Sequence, residues 1–169
     1  MRLLLLLTFM VGFGINAVLA SSDYAGSEAC GNCHPAKLES WAESGHHSSL
    51  VDVDGEAPLY PYNYHSGDPN VPNPPIVGDV PYAWSDIDYI IGGYYRSAVF
   101  VDHDGQIIAG GEDDLTAWNI WGTEWKPYHA NDYAQDDCNQ CHATGYEAGE
   151  TAAWAEDGVG CEACHGPDS

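Results

Sequence analysis

Positive charge is nearly missing from this chain. Its 169 residues include 4 Lys+Arg against 26 Asp+Glu, a formal net charge of −22. Phosphate-backbone affinity comes from Lys and Arg, so nucleic acid is excluded as a partner. A basic, membrane-seeking stretch is excluded for the same reason. Methionine is scarce too: Met1 and Met10 are the whole supply. No apolar run of spanning length follows residue 20, which argues against stable membrane insertion of the rest of the chain. Nor is any cysteine unpaired in the pattern described below. What is abundant is aromatic: 6 Trp and 11 Tyr, too many for a disordered acidic tail.

Residues 1–20 read as a secretory signal peptide. Arg2 supplies the positive end, Leu3 to Leu7 and Phe9 to Val11 the apolar core, and Val18-Leu19-Ala20 a cleavage site before polar Ser21-Ser22-Asp23. The expected division is 1–20 signal peptide and 21–169 one mature domain, periplasmic or extracellular. With both methionines in the leader, that domain has none. Its only cations are Lys37, Arg96 and Lys126.

The six cysteines form three copies of one pattern: Cys30-Gly31-Asn32-Cys33-His34, Cys138-Asn139-Gln140-Cys141-His142 and Cys161-Glu162-Ala163-Cys164-His165. CxxCH is the attachment signature of haem c: two thioethers hold the porphyrin and the adjacent His lies under the iron. Three copies that consume every cysteine go far beyond chance. Structural zinc needs closed tetrahedral sets and has no use for a His after every pair. Thioredoxin-like chemistry wants one CxxC beside a βαβ pattern, which is missing. The expected cofactor is haem c, three copies, covalently attached. Cys30, Cys33, Cys138, Cys141, Cys161 and Cys164 attach it, and His34, His142 and His165 are the proximal ligands.

Three porphyrins can replace an apolar core. The expected fold class is therefore a haem-cored multihaem cytochrome c, mostly irregular, with a few short α-helices near the motifs and a small β-hairpin. Trp41, Trp84, Trp118, Trp121, Trp125 and Trp154 are expected to pack around the porphyrins. The second and third motifs are close in the chain, which predicts neighbouring haems.

Five histidines remain: His46, His47, His65, His103 and His129. Met/His ligation fails for want of methionine after cleavage, leaving bis-His iron or an open position. Residues 34–45 read as a helix, with Pro35 in the first turn, Leu38, Trp41 and Ala42 on one face, and Gly45 at the end. His46 would then lie about 18 Å from His34 along the axis. One straight helix cannot clasp one iron from both sides, so His46 is the expected distal ligand of a haem other than the Cys30/Cys33 one. His47 is its substitute. His129 is the second candidate distal ligand, His65 could reach across from its loop, and His103 reads as solvated.

Between the motifs, residues 52–82 read as an irregular, Pro-rich loop. Ser97–Val101 and Gln106–Ala109 flank Asp104-Gly105 as a β-hairpin. Asp52-Val53-Asp54-Gly55 and Asp102-His103-Asp104-Gly105 lack the closing Glu of a calcium loop and read as turns.

With the motifs placed, the chain resembles multihaem cytochromes c related to the tetrahaem carrier that takes electrons from hydroxylamine oxidoreductase in nitrifying bacteria. The matching pieces are Cys30 to His34 followed by Trp41-x-x-Ser44-x-His46, then Ile91-Gly92-Gly93-Tyr94, Cys141-His142-Ala143-Thr144-Gly145-Tyr146, and Val159-Gly160-Cys161 through His165-Gly166-Pro167. The resemblance implies mostly bis-His haems in close stacked arrangements and a periplasmic or surface electron carrier. Some extracellular cytochrome filaments look similar in the same general way. Two departures stand out. Family members usually carry four or more haems. In similar chains the His-Gly-Pro segment continues to a nearby His, whereas this chain stops at Pro167-Asp168-Ser169, as a fragment lacking a fourth haem would.

The expected function is single-electron transfer without bond chemistry on a substrate, with redox proteins as partners. Acidic docking favours a basic partner and salt-sensitive association. Two alternatives stay open: an enzyme acting on small nitrogen compounds (nitrite, hydroxylamine, nitric oxide) at a five-coordinate haem, and a homo-oligomer or subunit of an extracellular cytochrome filament.

Overall fold

The computed structural model describes residues 23–61, 70–111, 113–128, 135–148 and 153–167. The expected signal peptide, His65 and His129 lie outside the described residues. Chain order is α1 (Ser27–Gly31), α2 (Pro35–Ala42), β1 (Leu50–Asp52), β2 (Ile76–Val77), β3 (Val80–Pro81), β4 (Ile87–Gly92), β5 (Ser97–Asp102), β6 (Leu115–Asn119), β7 (Glu124–Pro127), α3 (Gln135–His142), β8 (Ala143–Thr144), β9 (Glu156–Asp157) and α4 (Cys161–His165).

Five strands make an antiparallel sheet in the order β1-β4-β5-β6-β7. The register sets Leu50 opposite Ile91, Ile90 opposite Phe100, and Ala98 opposite Trp118. Side chains alternate across a strand, so β5 sends Ala98 and Phe100 to one face and Val99 and Val101 to the other. Both faces are covered. Leu50, Ile91, Val99, Val101, Ile107 and Ala117 form one apolar cluster, against which Ala143 and Cys138 of the second motif pack. On the opposite face Val53, Val71, Ile87, Ile90, Ala98, Phe100 and Ile108 pack under Tyr60, Val77, Tyr82, Trp84, Trp118 and Trp125. Fully burying each such side chain contributes roughly 1.5–3 kcal/mol.

This corrects the haem-cored, mostly irregular expectation. The short helices at the motifs are present, but the core of the described residues, with Phe100 its largest fully buried side chain, belongs to a sheet. Three of the six tryptophans go with it: Trp84 and Trp125 lie beside Phe100, with ring centroids 6.3 and 5.7 Å away, and Trp118 meets Trp125 at 5.5 Å. The hairpin expectation also changes. The hairpin is present at its turn end only: Val101 bridges Ile107, and the Asp102 and Ile108 amides donate to the Gln106 and Phe100 carbonyls at 2.9 and 2.8 Å, while the long partner of β5 is β4, with β6 joining at Ser97 and Ala98. Among the described residues of the 52–82 loop, β2 pairs with β3, and Asp52 closes β1 opposite Tyr89 of β4.

The N-terminal helix is shorter than expected. Pro35 opens α2 as predicted, but the helix ends at Ala42 and the chain turns through His46 into a 3-10 turn at His47–Ser49. Tyr94 anchors that end by donating its hydroxyl to the Glu43 carbonyl at 2.6 Å.

Candidate functional site

Each CxxCH motif sits on or at the end of a short helix. Helical spacing puts residues three and four apart on one face, so two sulfurs and an imidazole can address one planar group. In the first motif α1 ends inside the pattern, and the Cys30 carbonyl accepts from the Cys33 and His34 amides at 3.2 and 2.9 Å. Helices α3 and α4 each end on the motif histidine. All six thiols are free, and each motif repeats one pattern: the first cysteine is half-buried and the second exposed.

The first and third motifs share a cavity of about 560 Å³, walled by Cys30, Gly31, His34, Leu38, Cys161 and His165 among others. That volume lies within the roughly 300–1,000 Å³ of cofactor sites. Desolvation pushes the Cys30 thiol pKa up, with the nearby Cys161 and Glu162 adding to it. Gly31 lets the α1 end pass Leu38, since a Cβ there would fall 2.3 Å from Leu38 Cδ2.

Carboxylates bind the two motifs together. Glu162, buried inside the third motif, accepts the Ala25 amide at 3.1 Å and the Gly26 amide at 2.7 Å. Glu156 accepts the Ser27 amide at 3.1 Å and its hydroxyl at 2.9 Å. The same Ser27 hydroxyl oxygen accepts the Cys161 amide at 2.9 Å. Ser27 is wholly buried, so these bonds replace water that cannot reach it.

The second motif joins the third at its root. Thr144, two residues past His142, donates its hydroxyl to the Gly158 carbonyl at 2.8 Å and accepts the Gly160 amide at 2.7 Å. The β8–β9 pair aligns Ala143 with Asp157. The second and third motifs are thus joined at their roots, while the motif facing the third across the cavity is the first.

The turn His46–Ser49 is the junction of all three. The His46 carbonyl accepts from Val159 at 2.9 Å, and Trp41 donates Nε1 to the Val159 carbonyl at 2.8 Å. Gly158 permits this approach: a Cβ there would meet the His47 carbonyl oxygen at 2.4 Å. Ser49 accepts His142 Nδ1 on its carbonyl at 2.9 Å. A carbonyl only accepts, so Nδ1 carries the hydrogen, and in the neutral ring that leaves the lone pair an iron ligand needs on Nε2.

Of the candidate distal ligands, His46 is exposed on this junction. His47 packs edge-on against Trp41, ring centroids 4.7 Å apart. His103 is exposed as expected, but its nitrogens are engaged by the Ser85 carbonyl and the Asp88 carboxylate, which raise its pKa in that order. Of the two loops weighed as calcium sites, the second is a turn, whereas at the first Asp52 ends β1 and the Val53 amide continues the pairing by donating to the Asp88 carbonyl at 2.8 Å. At the second, Asp102 Oδ1 accepts the Asp104 and Gln106 amides. Glu156, Glu162, Ser27 and Ser49 were not singled out from sequence. Glu162 fills a variable motif position, and the others carry no signal until the fold brings positions far apart in the chain together.

These residues fit covalent haem: free thiol pairs at helical spacing, a cavity of cofactor size between two of them, and a motif histidine held in the ligating tautomer. Residues 120–166, which include the second and third motifs, match the family model described as cytochrome c554 and c-prime. No curated protein matches the chain. Its fold is similar to that of the undecaheme cytochrome from the S-layer of Carboxydothermus ferrireducens, with a TM-score of 0.56 and 23% identity over 86% of this chain. The chain spans 21% of that structure's length. Fold and C-terminal segment together are thus similar to multihaem c-type cytochromes.

Proposed function

We propose that this chain is an exported multihaem cytochrome c that passes single electrons through three haems. Cys30/Cys33, Cys138/Cys141 and Cys161/Cys164 would attach them, and His34, His142 and His165 would be the proximal ligands. Bound there, haem supplies one-electron Fe(III)/Fe(II) cycling. The observation that carries the reading is the cavity between the first and third motifs, with two attachment cysteines and two motif histidines on its wall.

The scarcity of methionine favours bis-His ligation. His46 is the proposed distal ligand of the second or third haem. Its turn is hydrogen-bonded to Val159 on one side and, through Ser49, to His142 on the other. His129 is proposed for another iron. Bis-His ligation and the surrounding negative charge both hold potentials low, because anions favour ferric iron. The relationship to the tetrahaem carrier of nitrifiers rests on the flanking motifs. A periplasmic or cell-surface location is supported by the S-layer origin of the similar cytochrome and by the leader-like residues 1–20. Among the described residues, no helix is long and apolar enough to cross a membrane.

The test is direct. Protein co-expressed with a cytochrome c maturation system is expected to give a pyridine haemochrome of three haems per chain, stained on a denaturing gel. A colourless chain would falsify the proposal. His46→Ala is expected to turn one low-spin haem high-spin, and an unchanged spectrum removes that assignment. Ferric spectra altered by cyanide or nitric oxide would favour the enzyme reading, and a concentration-dependent polymer the filament.

A further inference from the structure

Two of the three cations outside the N-terminal apolar segment, Arg96 and Lys126, meet at one concavity. It measures about 420 Å³ and is lined by Arg96, Ser97, Asn119, Trp121 and Lys126. Strand pairing builds it. Ser97 opens β5 opposite Asn119 at the end of β6, and the Arg96 carbonyl accepts the Ile120 amide at 2.8 Å. This holds the turn carrying Trp121, a residue 61% exposed, an unusual position for so large an apolar side chain. The Arg96 guanidinium lies over that ring, 6.0 Å from its centroid. Lys126 pairs with Glu124 at 2.9 Å, both side chains being half-exposed.

The lining has a definite chemistry. A guanidinium plane and an indole offer flat stacking surfaces, two cations pair with oxyanions, and Ser97 and Asn119 add a hydroxyl and an amide. No aliphatic side chain is among them. On a chain of net charge −22, a cationic hollow is a local exception to the overall field. We infer that this hollow binds a planar aromatic anion, a flat ring system carrying carboxylate or similar oxyanion groups. Arg96 pairs with one oxyanion, Trp121 stacks the ring, Lys126 supplies the second charge, and Glu124 competes with the ligand for Lys126. None of these residues belongs to a CxxCH motif, so the inference stands or falls apart from the haem reading.

Naphthalene-2,6-dicarboxylate is the probe, titrated calorimetrically into the purified protein at low salt. One probe is expected to bind per chain, with affinity falling as salt rises. Arg96→Gln and Trp121→Ala are each expected to weaken it about tenfold. Glu124→Gln is expected to tighten it, because Lys126 loses its competing carboxylate, and a merely perturbed surface would not gain affinity. Adipate, with two carboxylates on a flexible aliphatic chain, is expected to bind at least about tenfold more weakly. The inference is overturned by absence of saturable heat, by adipate matching the aromatic probe, by unchanged affinity in Arg96→Gln, or by lost affinity in Glu124→Gln.

Discussion

The sheet and the motif helices are held by different physics. Phe100, Ile90 and Val101 are fully buried, and the five strands cover one another's backbone. Helix α2 buries none of its residues, and α1 buries Ser27 alone. Motif helices of five to eight residues are far below the length at which an isolated helix is stable. Apolar burial therefore makes the sheet a self-sufficient frame. The motif helices depend on polar latches and, in the proposed function, on a tethered cofactor.

The largest consequence concerns removal of that cofactor. Protein made without haem attachment is expected to keep slow amide exchange in β4 and β5 while the amides of α1, α2 and α4 exchange near the unfolded rate. Attachment should slow the helices and leave the strands almost unchanged. Equal protection of both regions in the haem-free chain would erase the contrast. A cut into the frame itself ranks next. Phe100→Ala removes a fully buried ring touched by Trp84 and Trp125, and should cost about 3–5 kcal/mol in denaturant unfolding.

The latches should cost less. Ser27→Ala deletes the hydroxyl that donates to Glu156 and accepts from Cys161, leaving the Cys161 amide without it. The expected loss is about 1–3 kcal/mol, confined to exchange in α1 and α4. Loss spread equally over β4 and β5 would mean that the latch serves the whole fold.

What could be read from the chain follows the same division. The CxxCH motifs were legible because local spacing alone specifies them, and α2 because Pro35 and the face Leu38–Trp41–Ala42 are local too. The sheet was not. Its register pairs Leu50 with Ile91 and Ala98 with Trp118, contacts that no window of sequence contains. The aromatics compounded this: Trp84, Trp118 and Trp125 suit a porphyrin or a sheet face equally well, and their destination is fixed only by Phe100 on β5. Pro-rich 52–82 looked structureless, yet Val71 and Val77 are part of the cover over one face of the sheet. The meeting of the first and third motifs was hidden because Ser27 and Glu162, which bind them, are ordinary polar residues until the fold places them.

The smallest expected effect lies where the two regions touch. Asp157 on β9 accepts Trp154 Nε1 at 2.6 Å, and Trp154 packs on Tyr89 of the sheet with ring centroids 5.5 Å apart. Burial raises the Asp157 pKa. The Trp154 hydrogen bond opposes this, the Asp52 charge adds to the rise, and His47 draws it down. The folded chain thus holds this proton at a pH where the unfolded chain has released it. Folding is favoured as pH falls into the window between the two values, and that stability is lost as pH rises through the folded-state value. At neutral pH the buried charge is a cost. Asp157→Asn keeps an oxygen for Trp154 and removes the charge, so it should modestly raise the denaturation midpoint at pH 7. The gain should shrink toward zero as wild type is acidified through the window. A gain that stays constant with pH would trace it to packing at Trp154 and Tyr89, and would make the contact between sheet and motif helices an apolar one.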